Sequence, residues 1–357
     1  MKILQVYKDV FPEVSGGMER YIHDISLFLM SRGHSVHILV AGGGDRVIEG
    51  MEITGVWSPL RIMSNPIAPG YTRILAETDA DVIHFHLPLP ASVVGWEFVR
   101  KSRRKPYIVT YHSDIVRQAF MMPVYGPILR RFLRGAVKVL ATSENYLRTS
   151  LYLRELQNTE VIPIGANLEL FKPACGVKKN YYLFVGRFRK YKGIFVLLEA
   201  WRKMSDPPNL ILAGGGGLIH KVKKFIRVHK LPVTVLTNVT DDELIKLYQE
   251  ARALILPSTQ RSEAFGMVMV EAMACGTAVI SSNLSTGVSW VNRHNETGLL
   301  FPAGDVASLG KAVMRLEESA ERREEMCLNA EKRVRDVFDS TTLFKKVEEC
   351  LLQATGI

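Results

Sequence analysis

The chain has 357 residues, more than one hydrophobic core commonly holds, so two domains are expected. Hydrophobic residues make up 47% and charged residues 23%, the balance of a folded globular protein, which excludes a fibrous or disordered chain. The formal net charge of +10 keeps an anionic partner in view. In chain order, MKILQVY reads as a strand that starts at once, without the charged, apolar and cleavage regions of a signal peptide. GGMERYIHDISLFLMSRG is helical, with Tyr21, Ile22, Ile25, Phe28 and Leu29 on one face and Gly33 as its stop. HSVHILVAG is a strand ending in glycines, and DVIHFH, PYIVTYH, KVLATS and TEVIPIG follow as strands, mostly with helices between.

A second series opens after FKPACGVKKN. NYYLFVGRF, NLILAGG, PVTVLTNV, ALILPS and AVISS are strands, separated by helical GIFVLLEAWRKM, IHKVKKFIRVHK, DDELIKLYQEA and the stretch SEAFGMVMVEAMACG. Strand–helix alternation of this kind gives an α/β fold with parallel sheets covered on both faces. The expected division is residues 1–168, residues 178–338, and a terminal helix over 339–357 that packs back on the first domain. Ligands of such folds bind at the carboxyl ends of strands. No run of 18 apolar residues suits a membrane span. Cys175, Cys275, Cys327 and Cys350 have no CxxC spacing, which fits a reducing, cytoplasmic setting rather than zinc or a disulfide framework.

The positive charge is concentrated. Trp96 to Arg154 holds 12 Lys and Arg against 3 Asp and Glu, a local +9, whereas the rest of residues 1–175 has 8 basic and 13 acidic, a local −5. VRKSRRKPY and PILRRFLRGAVK carry most of it, within 99–138. A solvated face and an anionic membrane surface both explain this; nucleic acid does not, because no recognised motif or aromatic-interleaved basic strand is present.

Several chemical residues fall where strands stop. Gly16 and Gly17 open a helix and allow backbone N–H groups to approach an anion, though a plain turn is the simpler alternative. Arg187 and Lys192, in GRFRKYKG, combine a planar fork with a point charge, a pair suited to a diphosphate. SEAFGMVMVEAMACG then sets Glu263 before a helix and Glu271 eight residues on, among apolar residues. Lone carboxylates are rarely buried without partners. Glu263 would lie beside the free N–H groups of Phe265, Gly266 and Met267, and Glu271 deeper along the helix, so that two carboxylates grip the hydroxyls of two sugars flanking a diphosphate.

These stretches resemble the retaining, GT-B glycosyltransferases of family four. The E-x7-E motif from Glu263 to Glu271, SGGMERYIHDIS, TYHSD, IPIGANLELFKP, VGRFRKYKG and TGLLFPAGDVASL all match, in order, over nearly the whole chain. The resemblance implies two Rossmann-like domains facing across a deep cleft and a nucleoside-diphosphate sugar held mainly by the second. It implies Arg187 and Lys192 on the diphosphate, Glu271 on the ribose, Glu263 on the sugar hydroxyls, and backbone contacts from Phe265, Gly266 and Met267. His112 would meet the donor sugar near the reacting carbon, and Gly16 and Gly17 would lie at the diphosphate and acceptor. Transfer with retention, by same-face attack and without a metal or other cofactor, is implied. Two departures stand out. Asn167 replaces a common Asp in the linker, and NLSTGVSWVNRHNETG differs from the usual Gly-Gly-x-x-Glu wording. The latter resembles a mannosyl- and rhamnosyl-transferring subgroup, which leans the donor toward GDP-mannose.

Other signals weigh less. Asp79-Ala80-Asp81 reads as a helix stop at the amino end of a strand rather than a metal motif, and no metal site is expected. His84 and His86 share one strand face; His84 reads as a core histidine, while His86 can line an acceptor cleft. Asp114 can touch an acceptor or cap a helix. AGGGD (41–45) and AGGGGL (213–218) do not complete GxGxxG, so a nicotinamide site is not expected; their glycines let the chain pass close to the cleft or the nucleotide. Glu19 and Arg20 can pair on the first helix. The expected partners are the sugar nucleotide, a glycan or lipid-linked acceptor, and an anionic membrane surface touched through 99–138. A sugar-nucleotide 2-epimerase or phosphorylase of the same fold, or a non-enzymatic binding module, are the alternatives.

Overall fold

The computed structural model describes residues 1–14, 16–62, 65–115, 119–174 and 178–356. Cys175 and part of the 99–138 stretch, including Arg117, lie outside them. The chain divides into two compact units, Met1–Ile162 with Thr341–Ile357, and Pro163–Ser340.

The first unit is built on β1 (Lys2–Val6), β2 (Ser35–Ala41), β3 (Arg46–Ile48), β4 (Met51–Val56), a separate ribbon of β5 (Leu60–Ile62) and β6 (Asn65–Ile67), then β7 (Val82–Leu87), β8 (Tyr107–Tyr111), β9 (Lys138–Ala141) and β10 (Thr159–Val161). Its main sheet runs β10-β9-β8-β7-β1-β2-β4-β3. Neighbours are parallel except β3, which pairs antiparallel with β4. VIHFHL and YIVTY are buried at every position, as strands covered on both faces must be. The edge hairpin β3–β4 is absent from the expected elements. Its strands are short and partly exposed, and they turn at Glu49 and Gly50, both with positive φ (50° and 81°). The AGGGD glycines serve this edge, since a side chain on Gly55 of β4 would run into the backbone of Gly42 and Gly44.

Helix Gly17–Ser31 buries Tyr21, Ile22, Ile25 and Leu29. Helix Ser340–Thr355 belongs to the same unit: Phe344 packs on Tyr21 and Phe28 at ring distances of 5.8 and 5.6 Å. Its buried Glu348 accepts hydrogen bonds from His34 Nε2 at 2.9 Å and Arg32 Nε at 3.3 Å. Each fully buried aromatic or aliphatic side chain of this kind contributes about 1.5–3 kcal/mol. Lys2 pairs with Asp79 at 2.5 Å and its N–H donates to Asp81 at 2.7 Å, so the DxD carboxylates tie down the amino end of the sheet. No helix among the described residues is long and apolar enough to cross a membrane.

The second unit holds β11 (Tyr182–Val185), β12 (Leu210–Ala213), β13 (Val233–Leu236), β14 (Ala253–Leu256), β15 (Ala278–Asn283) and β16 (Gly298–Pro302), all parallel, in the order β13-β12-β11-β14-β15-β16. Tyr182, Phe184, Trp201, Ile255 and Ile280 form part of its core. The order reverses between β11 and β14, the switch point where such sheets open at their carboxyl ends. Both GRFRKYKG and SEAF leave the sheet there. At the start of this unit Asn167 Oδ1 accepts from the N–H groups of Glu169 and Leu170 at 3.0 and 3.4 Å, a turn that an aspartate would form in the same way.

Candidate functional site

In the second unit the two strand-end loops are stitched together. Thr259 N–H donates to Tyr191 O at 2.7 Å. Gly193, with φ 67°, packs against the Pro257 carbonyl. Gly214, at φ 138°, lets the loop after β12 lie on the carbonyl of Gly186, and Phe188 N–H donates to Gly215 O at 2.6 Å. The AGGGGL glycines thus brace the loop that carries Arg187 and Lys192.

This stitching brings Lys192 to Glu263. Nζ donates to Oε2 at 2.6 Å, with the two side chains only 12% and 9% exposed. Ser258 Oγ donates to the same carboxylate oxygen at 2.8 Å, and Thr286 Oγ1 donates to the Glu263 carbonyl at 2.9 Å. Burial alone pulls the Lys192 pKa down, but Glu263, Tyr191 and Glu271 outweigh it, and the ammonium sits above its ordinary value. Glu263 is therefore a buried carboxylate satisfied by a cation and a hydroxyl. Arg187 is exposed on the same loop.

Gly266 caps helix Met267–Ala274 in the left-handed conformation, φ 82°, and Phe265 is buried beside Trp290 and Phe338. Glu271 is on this helix, where its Oε2 accepts a hydrogen bond from Tyr248 OH at 2.7 Å. Burial, followed by Glu271, pushes the Tyr248 phenol well above its usual pKa, so it remains a donor. Tyr248 was not expected at this site. The available signal was a tyrosine on the apolar face of helix Asp241–Glu250, since a buried phenol needs a partner. The cluster brings one ammonium, two carboxylates and a helix start together at the carboxyl end of the sheet. That set can neutralise phosphate oxygens and accept hydrogen bonds from sugar hydroxyls.

In the first unit His86 and His112 lie at the carboxyl ends of β7 and β8. Both are buried, their rings stacked at 5.4 Å, with Tyr21 edge-on to His112 at 5.3 Å. His84 meets Thr110 Oγ1 at 2.7 Å. Burial drives His84 and His112 down to about 3 and His86 well below its ordinary value, so all three are neutral near pH 7. Asp114 accepts from Tyr111 OH at 3.0 Å and Ser150 Oγ at 2.7 Å, which makes it a brace for this strand end. The buried Glu19 side chain folds back over Gly16, occupying the space a Cβ there would need. A carboxylate at that glycine suits hydroxyl groups better than a phosphate. Arg20 lies over the Phe11 ring at 4.8 Å and within 3.8 Å of Asp24. Among the described residues, no group of three His, Cys, Asp or Glu is placed to hold a metal ion.

Comparison with known proteins agrees with this architecture. Residues 15–170 match the model of Glycosyltransferase Family 4, and residues 168–333 match that of Glycosyl transferases group 1. D-rhamnosyltransferase WbpZ of Pseudomonas aeruginosa is 32% identical over 95% of this chain and 92% of its own. O-antigen chain mannosyltransferase C of Escherichia coli is 30% identical over 95% and 94%. The structure of sucrose-phosphate synthase from Thermosynechococcus elongatus superposes with a TM-score of 0.84, at 23% identity, over 99% of both chains. The chain belongs to the family-four, group 1 glycosyltransferases and has their GT-B fold.

Proposed function

We propose that the chain transfers a hexose, mannose from GDP-mannose, to a saccharide or lipid-linked glycan in cell-surface glycan synthesis, with retention of anomeric configuration. The observation that carries this reading is the Lys192–Glu263–Glu271 cluster at the switch point of the second unit. In the proposed step the bond from the anomeric carbon to the diphosphate breaks, and a bond to the acceptor oxygen forms on the same face. The acceptor proton leaves on the departing phosphate. Lys192 and Arg187 stabilise the negative charge that develops, in place of a divalent metal. Glu271, held by Tyr248, binds the ribose, Glu263 the sugar hydroxyls, and Phe265, Gly266 and Met267 give backbone contacts. In the first unit His112 contacts the donor sugar, and Gly16 and Gly17, with the Glu19 carboxylate folded over Gly16, approach hydroxyl groups of the acceptor rather than the diphosphate.

The sugars named for the two relatives support a mannose-type donor, because D-rhamnose is 6-deoxymannose. Thermal stabilisation by GDP, UDP, dTDP and ADP, with magnesium or with a chelator, tests the donor site. A rise selective for GDP, unchanged by the chelator and lost in Glu271→Ala, is expected. A rise with another base removes the GDP assignment, and one that requires magnesium removes metal independence. A lipid-linked acceptor would bring the enzyme to the cytoplasmic membrane face. Supporting this, Phe98, Phe120, Met121 and Val124 are exposed, as are Arg130 and Arg134 in the same stretch of sequence. Failure to float with anionic liposomes at low salt would remove that part.

A further inference from the structure

Gln5 is an anomaly in KILQV: a polar side chain at the centre of a buried strand, with no exposure. Its Oε1 lies 2.7 Å from His86 Nε2, and His86 Nδ1 lies 3.2 Å from His112 Nε2. An amide oxygen only accepts, so His86 Nε2 carries the proton. A neutral His86 then presents a bare Nδ1, which must accept, so the proton between the two rings is on His112 Nε2. His112 Nδ1 is left as a lone pair. It is enclosed and has no hydrogen-bond partner among the described residues, as is also true of Gln5 Nε2 and His84 Nδ1 in the same cluster and of His23 Nε2, Trp96 Nε1 and Thr142 Oγ1 elsewhere. A buried acceptor without a donor is unfavourable and calls for an explanation.

We propose that Gln5 and His86 are positioning residues that lock His112 in the Nε2–H tautomer, so that its Nδ1 is reserved to accept a hydrogen bond from a hydroxyl of the donor sugar. The relay runs along three adjacent strands, β1, β7 and β8, whose pairing sets Gln5 opposite His84 and His86 opposite Thr110. His112 is then an acceptor that orients substrate, and neither a general acid nor a cation. The substrate half of this inference rests on the transferase reading; the tautomer half does not.

Long-range proton–nitrogen spectra of the histidine rings in the free, full-length protein read the tautomer without turnover. His86 and His112 are both expected as Nε2–H forms, and Gln5→Leu is expected to introduce the Nδ1–H form of His112. An Nδ1–H form in the unmodified protein, which a reversed Gln5 amide would produce, overturns the relay. So does a His112 tautomer unchanged in Gln5→Leu; if that variant does not fold, the unmodified spectrum alone decides. GDP-mannose and its monodeoxy analogues test the second half. One analogue is expected to raise KM about tenfold with the unmodified enzyme, and that difference is expected to vanish in His112→Ala. Persistence of every difference in His112→Ala overturns the assignment of Nδ1. Absence of any transfer would count against the transferase reading and leave the tautomer result standing.

Discussion

Replacing Lys192 by methionine is expected to lower kcat/KM about 10²–10³-fold and to destabilise the second unit by about 3–5 kcal/mol. The two losses have different origins. The stability loss arises because Glu263 is left as a buried carboxylate with only the Ser258 hydroxyl, at 2.8 Å, in place of an ammonium at 2.6 Å. The rate loss arises because the proposed leaving diphosphate no longer meets a fixed positive charge. The double variant Lys192→Met/Glu263→Gln separates them. It removes the orphaned charge and regains most of the stability, while turnover stays low. Denaturant unfolding and steady-state kinetics on Lys192→Met, Glu263→Gln and the double variant measure both, with Glu263→Gln alone giving the loss of turnover that belongs to Glu263. Turnover restored in the double variant would mean that Lys192 serves only to neutralise Glu263.

Gly193→Ala is expected to cost more than about 3 kcal/mol and to abolish transfer. The residue sits at φ 67°, where a side chain is strained, and an added Cβ falls on the Pro257 carbonyl oxygen, a backbone atom that has no rotamer to adopt. Relief requires the loops bearing Lys192 and Glu263 to part. Gly217→Ala is the control, since nothing lies within 4 Å of its Cβ position; it should change stability by less than about 0.5 kcal/mol. A mild Gly193→Ala would show that the stitching of these loops is not needed to assemble the cluster.

Much of the fold was legible because its strands are nearly continuous apolar runs between amphipathic helices. YYLFV and ALIL read as covered strands of a parallel sheet because each is short, apolar and set among helical stretches. The β3–β4 hairpin was not, because RVI and MEITGV are short, carry Glu52 and Gly55, and take their pairing from a turn at Glu49-Gly50. At the candidate site, the spacing of Glu263 and Glu271 indicated that something must satisfy both. It did not indicate what, since Lys192 and Tyr248 arrive through strand and helix crossovers that local pattern does not encode. The histidine cluster shows the same limit. His84 and His86 were visible as one strand face, whereas their link to Gln5 and His112 comes from the neighbouring strands of the sheet. Gln5 itself was a readable clue, a lone polar residue inside a buried strand.

The central claim, retaining transfer from a nucleotide sugar, is tested most directly by the anomeric configuration of the product. GDP-α-mannose is incubated with saccharide and lipid-linked saccharide acceptors, and the one-bond carbon–proton coupling of the new linkage is read by NMR. An α-linked product, formed only when acceptor is present and lost in Glu263→Gln, is predicted. A β-linked product, or conversion of the donor to an epimer with no acceptor added, would contradict the account.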